Sequence, residues 1–490
     1  MTHEHSASED RGHGFVKALG TIDVLFIGFG AMIGFGWIVL TGGWLDDAGT
    51  LGALLAFAAG GVIMGFVGVV YSELVAAMPH AGGEHNYLMR GMGPRLAMLG
   101  SWGITGGYIG VVMFEAVAVP RTMTYLVPNI EHIHLWTVAG FDVHLTWALI
   151  GSITAVLLTW LNIRGIKMTS LVQTFVVSFL LLVALVLIAG AFVGGDTANT
   201  QPLFHGGVGG FMLVLAVVPF LFVGFDVIPQ SAEEIRIPPR RIARLVVFSV
   251  VMAVVFYLVV IFTTSLALPA DQLVGLDLAT ADAVAAMFGS DLMGKIVIAG
   301  GLAGIITSWI AFLIGSSRLM WAMARSGMIP QWFAVLHPKY GTPVNALLFI
   351  GVLSAAAPFL GTAMLGWAVD AGSPMIVLTY CMVSITFLIL RRREPDMERP
   401  MRIGGAGNGG IVIGVIAVVL TAVLFVMYIP ELTPLSVTLD WQSYLMFGVW
   451  MLVGVALMLR VPGGIHAGPD AEDQLLEKIR ARRGTDGPAW

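Results

Sequence analysis

Charge is scarce in this chain: only 11% of its 490 residues are Asp, Glu, Lys or Arg. Soluble domains carry roughly 25%, so most of this chain cannot present a water-facing surface. Cysteine is almost missing as well. The single copy, Cys381, excludes an intrachain disulfide and leaves no basis for a cysteine-rich metal site. Long polar stretches are confined to the first fourteen residues, a connection near 269–294 and the tail after Arg460, so no separate soluble domain is expected. The glycine-rich runs "GGYIG" and "GGVGG" lack the strand-to-helix context of a nucleotide loop and no Walker lysine follows them, which excludes ATP coupling within the chain. His80, His85, His132, His134 and His144 fall in connections without metal-ligand spacing and read as solvated loop residues. A formal net charge of -5 gives no reason to expect a nucleic-acid partner.

What is present is apolar. Hydrophobic residues make up 57% of the chain and the mean hydropathy is +0.89, with runs long enough to cross a hydrocarbon core of about 30 Å. A β-barrel would show a weaker, alternating pattern. The expected fold class is therefore an all-α integral membrane protein, with twelve spans near 21–45, 51–78, 96–127, 145–161, 169–194, 209–232, 243–268, 295–325, 343–360, 368–390, 410–430 and 441–460. The leading polar stretch and the spans that follow argue against a cleaved signal peptide.

Basic residues divide the loops by side. One set holds Lys17, Arg90, Arg95, Arg164, Lys167, Arg236, Arg318, Arg391, Arg399 and Arg460 among others, whereas the other has only Arg121 and Lys295. The positive-inside rule places the basic set and both termini in the cytoplasm, which an even number of spans allows. The tail segment Ala471 to Arg482 is expected to form a short helix, acidic early and basic late.

Glycine is abundant where a helix should avoid it. "IGFGAMIGFGWIVL", Ile27 to Leu40, places Gly28, Gly30, Gly34 and Gly36 inside the first span, each costing about 1 kcal/mol against alanine in a helix interior. The sixth span is interrupted too, in "AVVPFLFVGFDVIPQSAEE", by Pro219, Gly224 and Pro229 around Asp226. Close helix packing would explain glycines in one span; matched interruptions in the first and sixth predict an internal repeat of five plus five helices. Unpaired backbone at membrane depth must be buried in protein or line a cavity. Amides near Gly34 to Gly36 would suit an anionic group, and carbonyls near Ala31 to Ile33 a cation or ammonium.

Four stretches carry a family resemblance: "GFGAMIGFG", "YSELVAAMPHAGGEHNYLMRGMG" at 71–93, "FVGFD" with "AEEIRIPPRRI" at 222–242, and "SSRLMWAMARSGMIPQWFAVLHPKYGTP" at 316–343. In this order they resemble the amino acid, polyamine and organocation transporter superfamily, with the aspartate at the sixth-span motif similar to its cationic amino acid transporter branch. The resemblance implies a ten-helix inverted-repeat core plus two further helices, and alternating access around a site between the first and sixth spans. On that reading residues 1–20 are a cytoplasmic tail, 21–194 and 209–391 the two repeats, 410–460 the added spans and 461–490 a second cytoplasmic tail. Phe35 departs from the small hydroxyl residue that many relatives carry.

Ionisable groups inside spans need a reason. Glu115 lies seven residues after Tyr108, two turns along one face of the third span; it is a candidate for a substrate ammonium or a coupling proton, with a structural hydrogen bond as the alternative. Asp226 either meets substrate or braces the second half of the sixth span. Glu73 reads as a gate or a partner for basic loop residues, and Glu233 and Glu234 resemble the family's acidic gate pair. No lysine occurs between Lys167 and Lys295, so the charge that proton-driven or exchanging relatives often place in the fifth span is missing. Thr307 and Ser308 in "GIITS" resemble the hydroxyl pair that helps to hold sodium in transporters of this architecture; with carbonyls near Ala31 they make sodium the only candidate cofactor. Back-bonding of both hydroxyls to their own helix is the alternative.

The expected function is a secondary active transporter, not an enzyme, in the cytoplasmic membrane, taking up an amino acid or small amine on a sodium or proton gradient. A substrate carboxylate would meet amides at Ile33, Gly34, Phe35 and Gly36. Its ammonium would meet carbonyls at Ala31, Phe222 and Val223 near Gly224, with Phe35, Tyr108 and Phe225 as walls and Phe222 or Phe225 as a gate. An exchanger and a non-transporting receptor are the rivals. The expected partners are the small-molecule substrate and membrane lipid, with the chain a monomer or homodimer.

Overall fold

The computed structural model describes residues 15–127, 129–405 and 407–483; most of the expected N-terminal tail, 1–14, and the last residues, 484–490, lie outside them. Among the described residues eleven helices are long and apolar enough to cross a membrane. The expected ninth span is the exception. It is a helix over Val344–Ala356 continued by a 3-10 turn over Ala357–Leu360, together about 28 Å at 1.5 and 2.0 Å per residue. That is marginal for a bilayer, and Pro358 inside the tighter turn accounts for the change of helix type.

The first expected span appears as two helices, Thr21–Met32 and Gly36–Val39. The chain then continues helically through Thr41–Ala77, but Gly49 interrupts that run at φ +74°, ψ 168°. Gly49 thus marks the corner between the first and second spans; a β-carbon there would lie 2.6 Å from the carbonyl oxygen of Pro202. The sixth span divides in the same manner, into Gly207–Phe222 and Val227–Gln230. Around these two broken spans pack the third (Pro94–Leu126), fifth (Ile166–Gly194), seventh (Pro239–Ala267), eighth (Asp291–Arg325) and tenth (Ala363–Arg393).

Lipid-facing and core-facing helices separate by burial. The eighth span is almost continuously buried from Gly300 to Ala324, while the twelfth (Trp441–Arg460) buries only Ser443 and Gly454. Exposed Phe175, Leu182 and Phe192 on the fifth span and Leu445 and Leu452 on the twelfth give the outer apolar band that a bilayer requires. The protein is a multi-pass all-α membrane protein.

Loops expected on the same side meet. On the basic side Glu73 at the end of the second span is bound by Arg391 and Arg399 and accepts from the Ile403 amide at 2.8 Å, and Arg90 pairs with Glu394. On the other side Arg121 lies 3.2 Å from Asp277. Two features of that other side depart from the sequence reading. Residues His134–Val138 and Phe141–His144 form a small antiparallel hairpin; Ala139 and Gly140 both have positive φ, the turn geometry that matches strand twist. The connection near 269–294, expected as a polar loop, contains helix Ala279–Phe288, which buries Ala279, Thr280, Ala283 and Val284 against the core.

Candidate functional site

Carbonyls of the broken first span accept hydrogen bonds from four other elements. Gln173 of the fifth span donates its amide nitrogen to Phe26 O at 3.3 Å, and Thr307 of the eighth donates to Gly30 O at 3.1 Å. Tyr257 of the seventh donates to Met32 O at 2.9 Å, and Thr280 of the outer helix to Trp37 O at 2.8 Å. Buried backbone without such partners would cost about 1–3 kcal/mol per group. The break is therefore an ordered feature of the native state, held from outside.

Its glycines serve close approach as well as opening. A β-carbon on Gly28 would fall 2.6 Å from Ile228 Cδ1, and one on Gly30 2.6 Å from the Gln173 amide nitrogen. At Gly34 it would collide with Glu115 Oε1 and lie 3.2 Å from Ser308 Oγ; at Gly36 it would lie 2.6 Å from Leu221. The packing explanation and the broken-helix explanation both hold, at different residues of one motif.

The two breaks touch. Gly224, at φ +132°, would bring a β-carbon within 2.5 Å of Ala31 Cβ and 3.1 Å of Met32 N. Asp226 fixes this turn: Oδ1 accepts from the Gly224 amide at 2.9 Å and Oδ2 from Tyr380 at 3.0 Å. That is the bracing arrangement. Beside the contact is a cavity of about 20 Å³ bounded by Ala31, Gly34, Phe35, Gly36, Glu115 and Ser308, with Phe114, Phe220, Leu221 and Phe312 among its apolar walls. Of the expected site residues, Ile33 caps the first helix and sends its carbonyl, with that of Gly34, toward Gly304 of the eighth span. Tyr108 and Glu115 both face the eighth span: the Tyr108 ring packs at a tilt, 5.1 Å from Phe312 between centroids, and Glu115 sits beside Ser308.

Phe222 and Phe225 diverge. Phe222 packs with Phe57 and Tyr257, while Phe225 packs with Tyr71 and Tyr380, and Val223 between them is buried. Toward the basic side, Glu234 receives Arg318 Nε at 3.0 Å and Nη2 at 2.9 Å, a bidentate pair with both side chains buried. Glu233 accepts from the Ala81 amide at 3.1 Å and lies 4.0 Å from His80. The strand-like bridge of Leu19 to Ile235 ties the start of the first span to the same place. These contacts join the end of the sixth span to the eighth span, to Ala81 and to the start of the first span.

Thr307 donates to Gly304 O at 2.9 Å as well as to Gly30 O, and Gln173 Nε2 also donates to Thr307 O at 3.1 Å. Thr307 Oγ1 keeps its lone pairs while it donates, so these bonds tie the first, fifth and eighth spans together at the position where the sequence reading places sodium. Gln173 is uncharged and so is not marked by the cost of charge in a span, although an amide in so apolar a helix is itself a signal.

His85 corrects the reading of solvated loop histidines. It is buried, with Nδ1 3.0 Å from Ser101 Oγ and Nε2 2.7 Å from Ser326 Oγ, and burial lowers its pKa to about 4. The neutral ring joins the third span to the end of the eighth. Its neighbour Glu84 is likewise buried on the short helix Glu84–Met92. No charge pattern marked either residue as internal, because both follow a Pro-His-Ala-Gly-Gly turn that reads as a loop.

The sequence of residues 19–459 matches the amino acid permease family model. The chain belongs to the amino acid permease family. Curated relatives include the branched-chain amino acid permease BcaP of Bacillus subtilis (strain 168), 28% identical over 90% of this chain and 92% of that one. The methylthioribose transporter of the same strain is 24% identical over 82% and 87%. Cationic amino acid transporter 5 of Arabidopsis thaliana is 30% identical over 71% of this chain and 61% of its own length. This permease is a transporter and not an enzyme.

Proposed function

We propose that this permease carries a neutral, apolar amino acid across the cytoplasmic membrane by alternating access, with both termini in the cytoplasm and the two broken spans in equivalent places of a five-plus-five inverted repeat. The observation that carries this reading is the contact of the two breaks, Gly224 against Ala31 and Met32, beside a cavity that has one carboxylate, Glu115, and otherwise mostly apolar walls. The space of about 20 Å³ must widen during the cycle before a zwitterion enters; one bound there would meet backbone amides of Gly34 to Gly36 with its carboxylate and Glu115 with its ammonium, leaving its side chain to Phe114, Phe220 and Phe312. Inward release then requires the Arg318 to Glu234 pair and the Glu233 contact with Ala81 to separate. The branched-chain relative supports an aliphatic substrate.

A second reading is a cationic amino acid, favoured by Glu115 and by the cationic amino acid transporters among the relatives. We infer proton rather than sodium coupling from the Gln173 amide, a donor that turns toward Thr307 O where a cation would be served by another oxygen. Uptake of labelled leucine, isoleucine, valine, arginine and lysine into proteoliposomes, with sodium or potassium on both sides and with an inward pH gradient, tests all three points. Leucine uptake raised by the pH gradient and indifferent to sodium is the expected result; arginine uptake alone would select the second reading, and strict sodium dependence would refute proton coupling.

A further inference from the structure

A second group of buried polar side chains lies on the basic side of the sixth-span break, apart from the cavity. Glu84 is fully buried, and its Oε1 accepts from Gln230 Nε2 at 2.6 Å. The same Gln230 nitrogen contacts the Tyr108 hydroxyl. Four further polar atoms around it are buried without a partner among the described residues: Glu84 Oε2, Gln230 Oε1, Tyr71 Oη and Tyr87 Oη. Two acceptors and two donors left unpaired at this depth are costly, and they are the groups that a proton on Glu84 would reorganise.

The space suits a proton better than a larger cation. Tyr71 packs 6.2 Å from Tyr87, 5.7 Å from Tyr380 and 5.5 Å from Phe225, centroid to centroid, so the rings tile the region. The other acid facing it is Asp226, which is already engaged by Tyr380 and the Gly224 amide. Basic groups on the surrounding elements are committed elsewhere: Arg90 to Glu394, Arg318 to Glu234, Arg391 to Glu73, and Arg325 over the Trp321 ring. On the tail helix, Glu472 lies beside Arg325 and His80 on the far side of a separate surface pocket, and His85 is held by its two serines. No described basic side chain neutralises Glu84. Burial, reinforced by Asp226, accordingly pushes its carboxyl well above the usual carboxylate range.

The segment carrying Glu84 is hydrogen-bonded to the second half of the sixth span and the turn after it. Gly82 N donates to Gln230 O at 3.1 Å, and Ala81 N to Glu233 at 3.1 Å. A cavity of about 210 Å³ open to the basic side reaches His80, Ala81 and Asn86, two residues from Glu84. We propose that Glu84 is the proton-carrying group of the transport cycle: a proton binds at Oε2 during uptake and leaves to water on the basic side as the Val227–Gln230 half-helix moves. Only an acid-base step is involved, with H⁺ gained at one oxygen and the same H⁺ released. This inference rests on the transporter reading above and adds the coupling site, distinct from Glu115.

Wild type, Glu84→Gln and Glu84→Asp, each in proteoliposomes, would be compared for counterflow of labelled leucine or arginine and for accumulation on an inward pH gradient, with an internal pH dye reading proton entry. The expected result is counterflow by Glu84→Gln within about twofold of wild type, with gradient-driven accumulation lost at least tenfold and substrate-induced proton entry abolished. Glu84→Asp should keep accumulation with a shifted pH midpoint, and that arm alone decides the matter if the glutamine variant fails to insert. Wild-type counterflow together with undiminished proton-driven accumulation by Glu84→Gln, or an unshifted aspartate profile, would overturn this assignment and leave the transporter reading intact. Absence of counterflow in wild type would overturn both.

Discussion

Replacing Gly224 by alanine probes the contact on which the functional reading depends. Its φ of +132° is in a region that L side chains rarely adopt, which costs about 1–3 kcal/mol. The added methyl would fall 2.5 Å from Ala31 Cβ and 3.0 Å from Ala31 C, against an ordinary carbon separation of about 3.5–4.0 Å. Relieving that overlap by shifting backbone costs about 1–3 kcal/mol more. The sum, about 2–6 kcal/mol, falls on the state in which the two breaks touch, and even its lower end is about a thirtyfold loss of that state. Initial uptake rate in proteoliposomes should drop at least tenfold. Gly207→Ala separates the two causes, since Gly207 also has positive φ (56°) but a β-carbon there meets nothing within 4 Å; it should lose stability while transporting far better than Gly224→Ala. Wild-type transport and melting temperature in Gly224→Ala would refute the claim that the breaks bear on each other.

Arg318→Ala should destabilise the protein by about 3–5 kcal/mol, because it leaves Glu234 buried without its partner; the double change to Met at both positions should recover much of the loss in a thermal melt. Gln173→Leu removes the side-chain hydrogen bonds to Phe26 O and Thr307 O, both of which stay within helices, and should cost about 0.5–1.5 kcal/mol, read as a lower melting temperature, with no sodium dependence gained. For His85 the folded pKa of about 4 is below the unfolded value of 6.5, so between those values the unfolded chain binds the proton and the folded one does not. Stability is thus full above pH 6.5 and declines as pH falls toward 4, by up to about 3 kcal/mol. A melt series across that window should flatten in His85→Asn.

The membrane class and the two breaks were legible because each rests on a strong local signal: long apolar runs for the spans, and glycine or proline inside such runs for the interruptions at 28–36 and 219–229. Glu115 and Asp226 were legible as charges where charge is expensive. Gln173, Thr280 and Tyr257 were not, since what makes them matter is a hydrogen bond to a carbonyl of a different helix, and partnership across the fold leaves no mark in spacing. Glu84 and His85 follow a turn of loop composition, yet that turn folds inward against Gln230 and the end of the eighth span. Glu73, read as a gate or a loop partner, has its basic partners in the structure, Arg391 and Arg399, more than three hundred residues away. The hairpin after the third span left no such signal because its strands, His134–Val138 and Phe141–His144, are too short for an alternating pattern to stand out.

The central claim, an amino acid site at the junction of the two broken spans, is tested most directly by counterflow of labelled amino acids through the purified permease in proteoliposomes, with wild type beside Gly34→Val. A β-branched side chain at position 34 would occupy the place of Glu115 Oε1 and lie against Ser308. The account predicts saturable counterflow of an apolar amino acid by wild type and its loss in a Gly34→Val protein that still melts cooperatively. Undiminished counterflow by Gly34→Val would place the substrate elsewhere and contradict the account.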